Sequence, residues 1–400
     1  MKTLVAVGLI LASIGSVNAQ SSSPTLRTQT VTIDEHRFQV GVISGFTFEP
    51  VNTALDTPRL LSFHKNGDLF AGSRSGQVYR MEAPYHRASR LNIPRLAYPH
   101  AVAFRDEQIF IASTEGVYTG HSNSQSPSRI DDFRMLAELP GGRGHNSRTV
   151  KVGPDKRIYA SLGVTGNCPR EWLDNSFPFK DRRGGVLVLD ESTKSPTWKT
   201  WASGLRNPVG FDWHPQTGVM YASNNGPDHQ GFEQPPEVFA RLDQGNNLGM
   251  PWFQFDGENI RRDHCRSEAP PSPASSVSQP AATFPARNAP MDVLFIPNEP
   301  SFGHLAGHAL VALHGSWATQ PRRDSSGSRS SRRPPEIVMV QFENGEATGV
   351  EEVVRGFQLD NGQRWVRPVG LALGPDNAIY ISSDAGIEGI FRLRPEPNSN

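Results

Sequence analysis

One pattern recurs six times along the chain: an apolar-x-apolar strand, a turn of Pro, Asp, Asn or Gly, then an apolar strand closed by small residues. It runs through Leu61-Ser62-Phe63 with Leu69-Phe70-Ala71-Gly72, and Val102-Ala103-Phe104 with Ile109-Phe110-Ile111-Ala112-Ser113. The third copy is Val150-Lys151-Val152, Gly153-Pro154-Asp155 and Ile158-Tyr159-Ala160-Ser161, and the fourth Phe211-Asp212-Trp213 with Met220-Tyr221-Ala222-Ser223. A stretched fifth joins Val293-Leu294-Phe295 to Leu310-Val311-Ala312-Leu313. The last is Leu371-Ala372-Leu373, Gly374-Pro375-Asp376 and Ile379-Tyr380-Ile381-Ser382. Each copy reads as a β-hairpin, with period-2 apolar positions around a tight turn. A lone hairpin cannot bury its apolar faces, so repeated units must stack. Six units leave roughly 60 residues apiece, room for four strands, which predicts an all-β, six-bladed β-propeller. A β-sandwich accounts for the strands but not for six similar hairpins.

The segment before the first repeat reads as a leader. Lys2 precedes the apolar run Leu4–Ile14, too short to span a bilayer, and Val17-Asn18-Ala19 has the small residues of a cleavage site. The expectation is a signal peptide over 1–19, a single propeller domain over 20–400, and a secreted protein. No later stretch reaches membrane length, and 40 basic residues balance 40 acidic ones. No global field therefore favours nucleic acid or an anionic membrane. An oxidising compartment would allow Cys168 and Cys265, the two cysteines, to form a disulfide. Two low-complexity stretches, 269–281 and 319–335, read as mobile surface loops inside blades, the second a basic loop with Arg322, Arg323, Arg329, Arg332 and Arg333.

In a propeller the first strand of each blade flanks the central channel, so the residues that lead into those strands converge. These are Pro58-Arg59, Pro99-His100, Gly144-His145-Asn146-Ser147-Arg148, Gly204-Leu205-Arg206-Asn207-Pro208, Ala289-Pro290-Met291 and Trp365-Val366-Arg367-Pro368. Guanidiniums gathered without an anion repel one another, and arginine suits bidentate carboxylate recognition, so the ring calls for a polyanionic ligand. Taken singly, Arg206 or Arg367 could equally satisfy loop carbonyls, and His100 could be a packed turn histidine. Carbonyls of Asn224-Asn225-Gly226-Pro227-Asp228 and the Glu237 carboxylate are oxygen ligands of the kind calcium accepts, without an EF-hand pattern.

At these residues the chain resembles the soluble PQQ-dependent sugar dehydrogenases. The likeness lies in Gly204-Leu205-Arg206-Asn207-Pro208-Val209-Gly210, His214-Pro215 and Asn225-Gly226-Pro227. His145 through Gly163, Ala289-Pro290, His314-Gly315-Ser316-Trp317 and Arg367-Pro368-Val369-Gly370 are most similar to the sorbosone and pyranose dehydrogenase branch, over about residues 55–394. The resemblance implies a six-bladed propeller with pyrroloquinoline quinone (PQQ), a tricarboxylate, held with calcium at the channel mouth. It assigns PQQ contacts to Arg206, Asn207 and Arg367, and calcium to the carbonyls of Gly226 and Pro227. Arg148, His100 and Arg59 complete the expected cofactor set, and Glu237 the metal set. His145 corresponds to the general base, expected near neutral pKa, that takes a sugar hydroxyl proton while hydride passes to the quinone. Electrons would leave to an external acceptor. The branch continues His-Gly-Ser-Trp with Asn-Arg, whereas Ala318-Thr319-Gln320 follow here; Pro169-Arg170 replace a common second cysteine, and Leu248-Gly249-Met250-Pro251 an aromatic pair. Two other functions share this fold. A calcium-dependent lactonase or esterase would use the metal and a histidine but not several arginines, and a catalytically silent propeller would bind glycan or protein.

Overall fold

A computed structural model describes residues 25–122, 128–170, 173, 176–322 and 324–396; the expected leader over 1–19 and Arg323 lie outside the described residues. Among the described residues the chain forms five four-stranded antiparallel sheets, one six-stranded sheet and a small two-stranded ribbon. The six larger sheets are the blades of a β-propeller. Their first strands are Pro58–Phe63, Ala101–Arg105, Arg148–Val152, Phe211–Trp213, Pro290–Phe295 and Val366–Leu373, numbered here as blades 1 to 6. No helix of the described residues is long and apolar enough to cross a membrane.

The two ends of the chain meet in the ring. Phe46–Asn52 pairs with Gly389–Pro395 as the outer strand of blade 6. The hairpin Leu26–Ile33/His36–Ile43 extends blade 5 through Gly41 and Val42 against Arg355 and Val354. The N-terminal segment thus straps two neighbouring blades. Phe48, stacked on Phe391 with ring centroids 5.4 Å apart, buries its ring in that closure.

The repeated turn has a local cause. In blade 3 the Gly153 N–H donates to Arg157 O (2.9 Å), Asp155 Oδ1 accepts from Arg157 N–H (3.0 Å), and Tyr159 O–H reaches Asp155 Oδ2 (2.8 Å). Blade 6 repeats this with Gly374, Asp376, Ala378 and Tyr380 (Tyr380 O–H to Asp376 Oδ2, 2.9 Å). A Cβ on Gly153 would lie 2.7 Å from Asp155 Oδ1 and 2.8 Å from the Tyr159 ring, so only glycine fits beneath the Asp–Tyr pair.

The axis is packed by backbone and small side chains. A Cβ on Gly210 would meet Asp292 Cα at 2.4 Å, and one on Gly370 the Arg59 carbonyl at 2.6 Å. Ser223 donates to Met291 O and Ser382 to Arg59 O, linking blade 4 to 5 and 6 to 1. This explains the serines that end the second strands of blades 4 and 6: a hydroxyl there satisfies the neighbouring blade's carbonyl. Buried Asp292 ties three blades, accepting from Lys151 Nζ (3.2 Å) and from Leu371 N–H (3.0 Å).

Neither low-complexity stretch is a free loop where described. In the second, Arg333 N–H donates to Ser316 Oγ (2.8 Å), Arg333 pairs with Glu233, and Thr319 N–H donates to Asp324 O (2.8 Å). In the first, Val277 is buried with Trp252 and Phe253. Both stretches, read from composition as loops, carry anchoring side chains among the described residues.

Candidate active site at the channel mouth

Antiparallel pairing places the start of each blade's first strand beside the end of its second: Pro58 opposes Ser73, Arg148 opposes Leu162, and Val366 opposes Gly386. The residues singled out along the sequence therefore gather at one end of the axis, in two groups.

The first group surrounds His145. Its Nδ1 lies 2.6 Å from the Val164 carbonyl, which can only accept, so Nδ1 carries the proton and Nε2 is left as an acceptor. Burial foremost, with Arg206 second, lowers its pKa to about 4 rather than the near-neutral value expected from its role. Asn207 reaches the same spot. A Cβ on Gly163 would lie 2.5 Å from both Asn207 Oδ1 and His145 Cβ, so that glycine lets the two side chains meet. Arg148 is fully buried and donates to the carbonyls of His145 (2.8 Å), Ser147 (3.0 Å) and Pro140 (2.7 Å). It fixes the loop that carries His145, and its contacts here are all to backbone.

Arg206 links this group to the loop after blade 4's second strand. It donates to Asn167 Oδ1 (2.7 Å), Asp228 Oδ2 (3.0 Å) and Asn225 O (3.3 Å). Asp228 is shared with buried Arg287, which donates to Asp228 Oδ1 and to Pro227 O, each at 2.7 Å. Glu237 is buried and accepts from Gly226 N–H; burial raises its pKa to about 7.

The second group centres on Asp384. Arg59 pairs with one carboxylate oxygen, and His314 Nε2–H donates to the other at 2.7 Å. His314 Nδ1 then accepts from Arg367 Nη2 (2.8 Å), while Arg367 Nε donates to His314 O (3.1 Å). Burial alone would raise the Asp384 pKa, but His314, Arg59 and Arg367 together hold it far below the usual carboxylate range. Burial and, more weakly, Arg367 keep His314 neutral, with a pKa of about 4. His100 is fully buried between Arg59 (3.4 Å) and Thr149 (3.3 Å); burial and Arg59 depress it well below 6.5. Positive charge is in surplus here. Arg59, Arg74 and Arg332 all disfavour the charged form of Arg367 after burial itself, and Arg332 and Arg367 do the same to Arg364.

Set against known proteins, the chain's second half matches a family model. Residues 241–394 match a model described as TrAA12-like. The carbohydrate-active enzyme family AA12 structure from Trichoderma reesei superposes with a TM-score of 0.74 at 20% identity, covering 95% of this chain and 100% of that one. The holo PQQ domain of pyranose dehydrogenase from Coprinopsis cinerea gives 0.70 at 18% identity, covering 91% and 98%. A protein of Borreliella burgdorferi described as uncharacterized is 24% identical over 379 residues, 91% of this chain and 93% of its own. The TrAA12-like match and the shared fold support the resemblance to the soluble PQQ-dependent sugar dehydrogenases.

Three side chains of the site escaped sequence reasoning. Asp384 stands in Ser382-Ser383-Asp384 at the repeat position of Asn225 in Ser223-Asn224-Asn225, and comparing the tails of the repeats would have found it. Asp228 closes a loop read only for its carbonyls. Arg287 precedes Ala289-Pro290 with no motif of its own. The cysteines are brought together, their sulfurs within 4.8 Å, but stand as free thiols rather than the expected disulfide.

A pH dependence follows from these burials. A histidine with a depressed folded pKa binds its proton more readily when unfolded, so His145 and His314 contribute stability that is full above about 6.5 and lost as pH falls toward 4. Glu237 acts oppositely: its raised pKa adds stability below 4.5 that is lost as pH rises through 7. The two histidines outweigh the one glutamate, and His100, also depressed, acts in their direction, so stability should fall by at least about 2 kcal/mol between pH 6.5 and 4.5. Urea denaturation at both values checks this, and a flat or reversed profile contradicts it.

Proposed function

We propose that this chain is a sugar dehydrogenase that holds PQQ at the channel mouth, oxidises an aldose or pyranose and passes electrons to a separate acceptor. The observations that carry the reading lie in the two groups at the channel mouth: the surplus of guanidiniums around Asp384, and His145, whose tautomer is fixed for accepting a proton. The related fold and the TrAA12-like match support it.

The residues fit a tricarboxylate. Arg59 Nε and Arg206 Nε are buried with no hydrogen-bond partner, and the surrounding donors outnumber their anions. Arg206, Asn207 and Arg367 would hold the cofactor, with Arg59 and His100 behind them. When bound, PQQ supplies the hydride acceptor. His145 Nε2 accepts the substrate hydroxyl proton as the sugar C–O bond becomes a carbonyl, and the Val164 carbonyl keeps Nδ1 protonated throughout. Asn207 Oδ1 packs beside the Cβ of His145 at Gly163, and Trp317 is 50% exposed, so its ring is available to stack on a pyranose.

The expected calcium set fits less well. Pro227 O already accepts from Arg287, and Glu237 holds the Gly226 N–H. No step is routed through calcium. The same geometry weighs against a calcium-dependent lactonase, whose chemistry needs that site. Secretion behind the 1–19 leader belongs to the proposal.

Titration of PQQ into the purified protein, followed by a panel of aldoses with a redox dye, tests the reading. Saturable binding and sugar-dependent dye reduction are expected; absence of binding would favour a silent propeller. Arg206→Ala should weaken PQQ binding at least tenfold, checked by fluorescence titration alongside a thermal melt. Unchanged affinity would remove Arg206 from the cofactor contacts.

A further inference from the structure

Outside the axial site, three loops bring Cys168, His229 and Cys265 together. Cys168 lies beyond the second strand of blade 3, His229 in the loop before Glu237–Arg241, and Cys265 in the excursion before Ala282–Phe284. The two sulfurs and one imidazole nitrogen all lie within 4.8 Å of one another, with Cys168 Sγ 4.0 Å from His229 Nδ1. We propose that these three side chains form a binding site for a thiophilic cation, with Zn²⁺ as the natural fit.

Zinc bonds of about 2.3 Å to sulfur and 2.0 Å to nitrogen set tetrahedral ligand separations of roughly 3.5–3.8 Å, so small side-chain shifts close the site. The surroundings are those of a ligating histidine. His229 Nε2–H donates to Asp263 Oδ1 at 2.9 Å, which leaves Nδ1 as the nitrogen facing the thiols. Asp263 is only 3% exposed and is itself held by Gln230 (3.1 Å). Its Oδ1 also accepts the Cys265 N–H at 3.0 Å, so one carboxylate orients two of the three ligands. His229 and Cys265 open onto a surface pocket of about 430 Å³ with Gln254, Asp256 and His264, which gives an ion access and leaves a fourth position for water. Binding exchanges the two thiol protons for the cation.

The site does not depend on the sugar-oxidising reading, but it touches the same scaffold. Asn167, next to Cys168, accepts from Arg206 and from the Asp228 N–H, and Asp228 adjoins His229. A bound ion would tie together the loops that hold Arg206.

The test is Zn²⁺ titration of the purified, reduced protein by calorimetry, with thiol counting and Co²⁺ as a spectroscopic probe. One ion per chain is expected, with both thiols protected and Co²⁺ giving sulfur charge-transfer and tetrahedral d–d bands. His229→Ala should weaken binding at least tenfold, and Asp263→Asn by about 10–100-fold. Circular dichroism confirms that each variant is folded. Zn²⁺ affinity unchanged in Cys265→Ser would overturn the proposal. So would a Cys168–Cys265 disulfide in the protein as isolated, found by mass spectrometry without reduction.

Discussion

His145→Ala is expected to lower sugar turnover by about 10²–10⁴-fold, the range that a positioned general base contributes, while PQQ affinity stays close to that of the unaltered protein. The separation is the informative part. The His145 backbone N–H donates to Val164 O (3.1 Å) and Arg148 holds its carbonyl, so truncating the ring leaves the loop's backbone contacts in place. A fall in kcat without loss of bound PQQ would mark the residue as a proton acceptor; unchanged turnover in the folded variant would remove it from the mechanism. The acidic limb of the kcat/KM profile gives a second readout. With the free-enzyme pKa near 4, activity should persist well below pH 6.5, and an acidic limb at 6.5 would contradict the burial that sets it.

Asp384→Ala is expected to destabilise the fold by about 3–5 kcal/mol, because it removes the anion from a buried pair and leaves cations behind. Arg59 loses its carboxylate, His314 its acceptor, and Arg367 faces Arg59 without an intervening negative charge. Urea unfolding measures the loss. If the site accepts a tricarboxylate, saturating PQQ should restore part of it in the variant, since a ligand anion replaces the missing one. A loss under 1 kcal/mol would mean that Asp384 is not what balances the ring.

The fold was readable because a propeller repeats its local chemistry: the Gly-Pro-Asp turn, the Asp–Tyr pair and the small residues that close each second strand all recur with a structural cause. The arginines were readable as a set through their shared position before each first strand. Their partners were less so. Which arginine meets backbone, as Arg148 does, and which meets a carboxylate, as Arg59 and Arg206 do, depends on loops that do not repeat. Arg287 and Asp228 meet across 59 residues of such loops, with no periodicity to announce them. The cysteines illustrate the same limit. Composition and compartment suggested that they pair with each other, but a histidine between loops, and the carboxylate behind it, appear only in three dimensions.

The shared sixth blade also sets the order in which the protein can fold. Phe46–Asn52 has no strand partner until Gly389–Pro395 exists, so the third strand made must wait for the last. Contacts this distant along the chain slow folding and leave an apolar strand edge open meanwhile. Until blade 6 docks on blade 1 the ring is open, with the Arg59–Asp384 pair unformed and the channel mouth incomplete. The ability to bind an anion at the axis therefore arises late, as a property of the closed ring rather than of any blade.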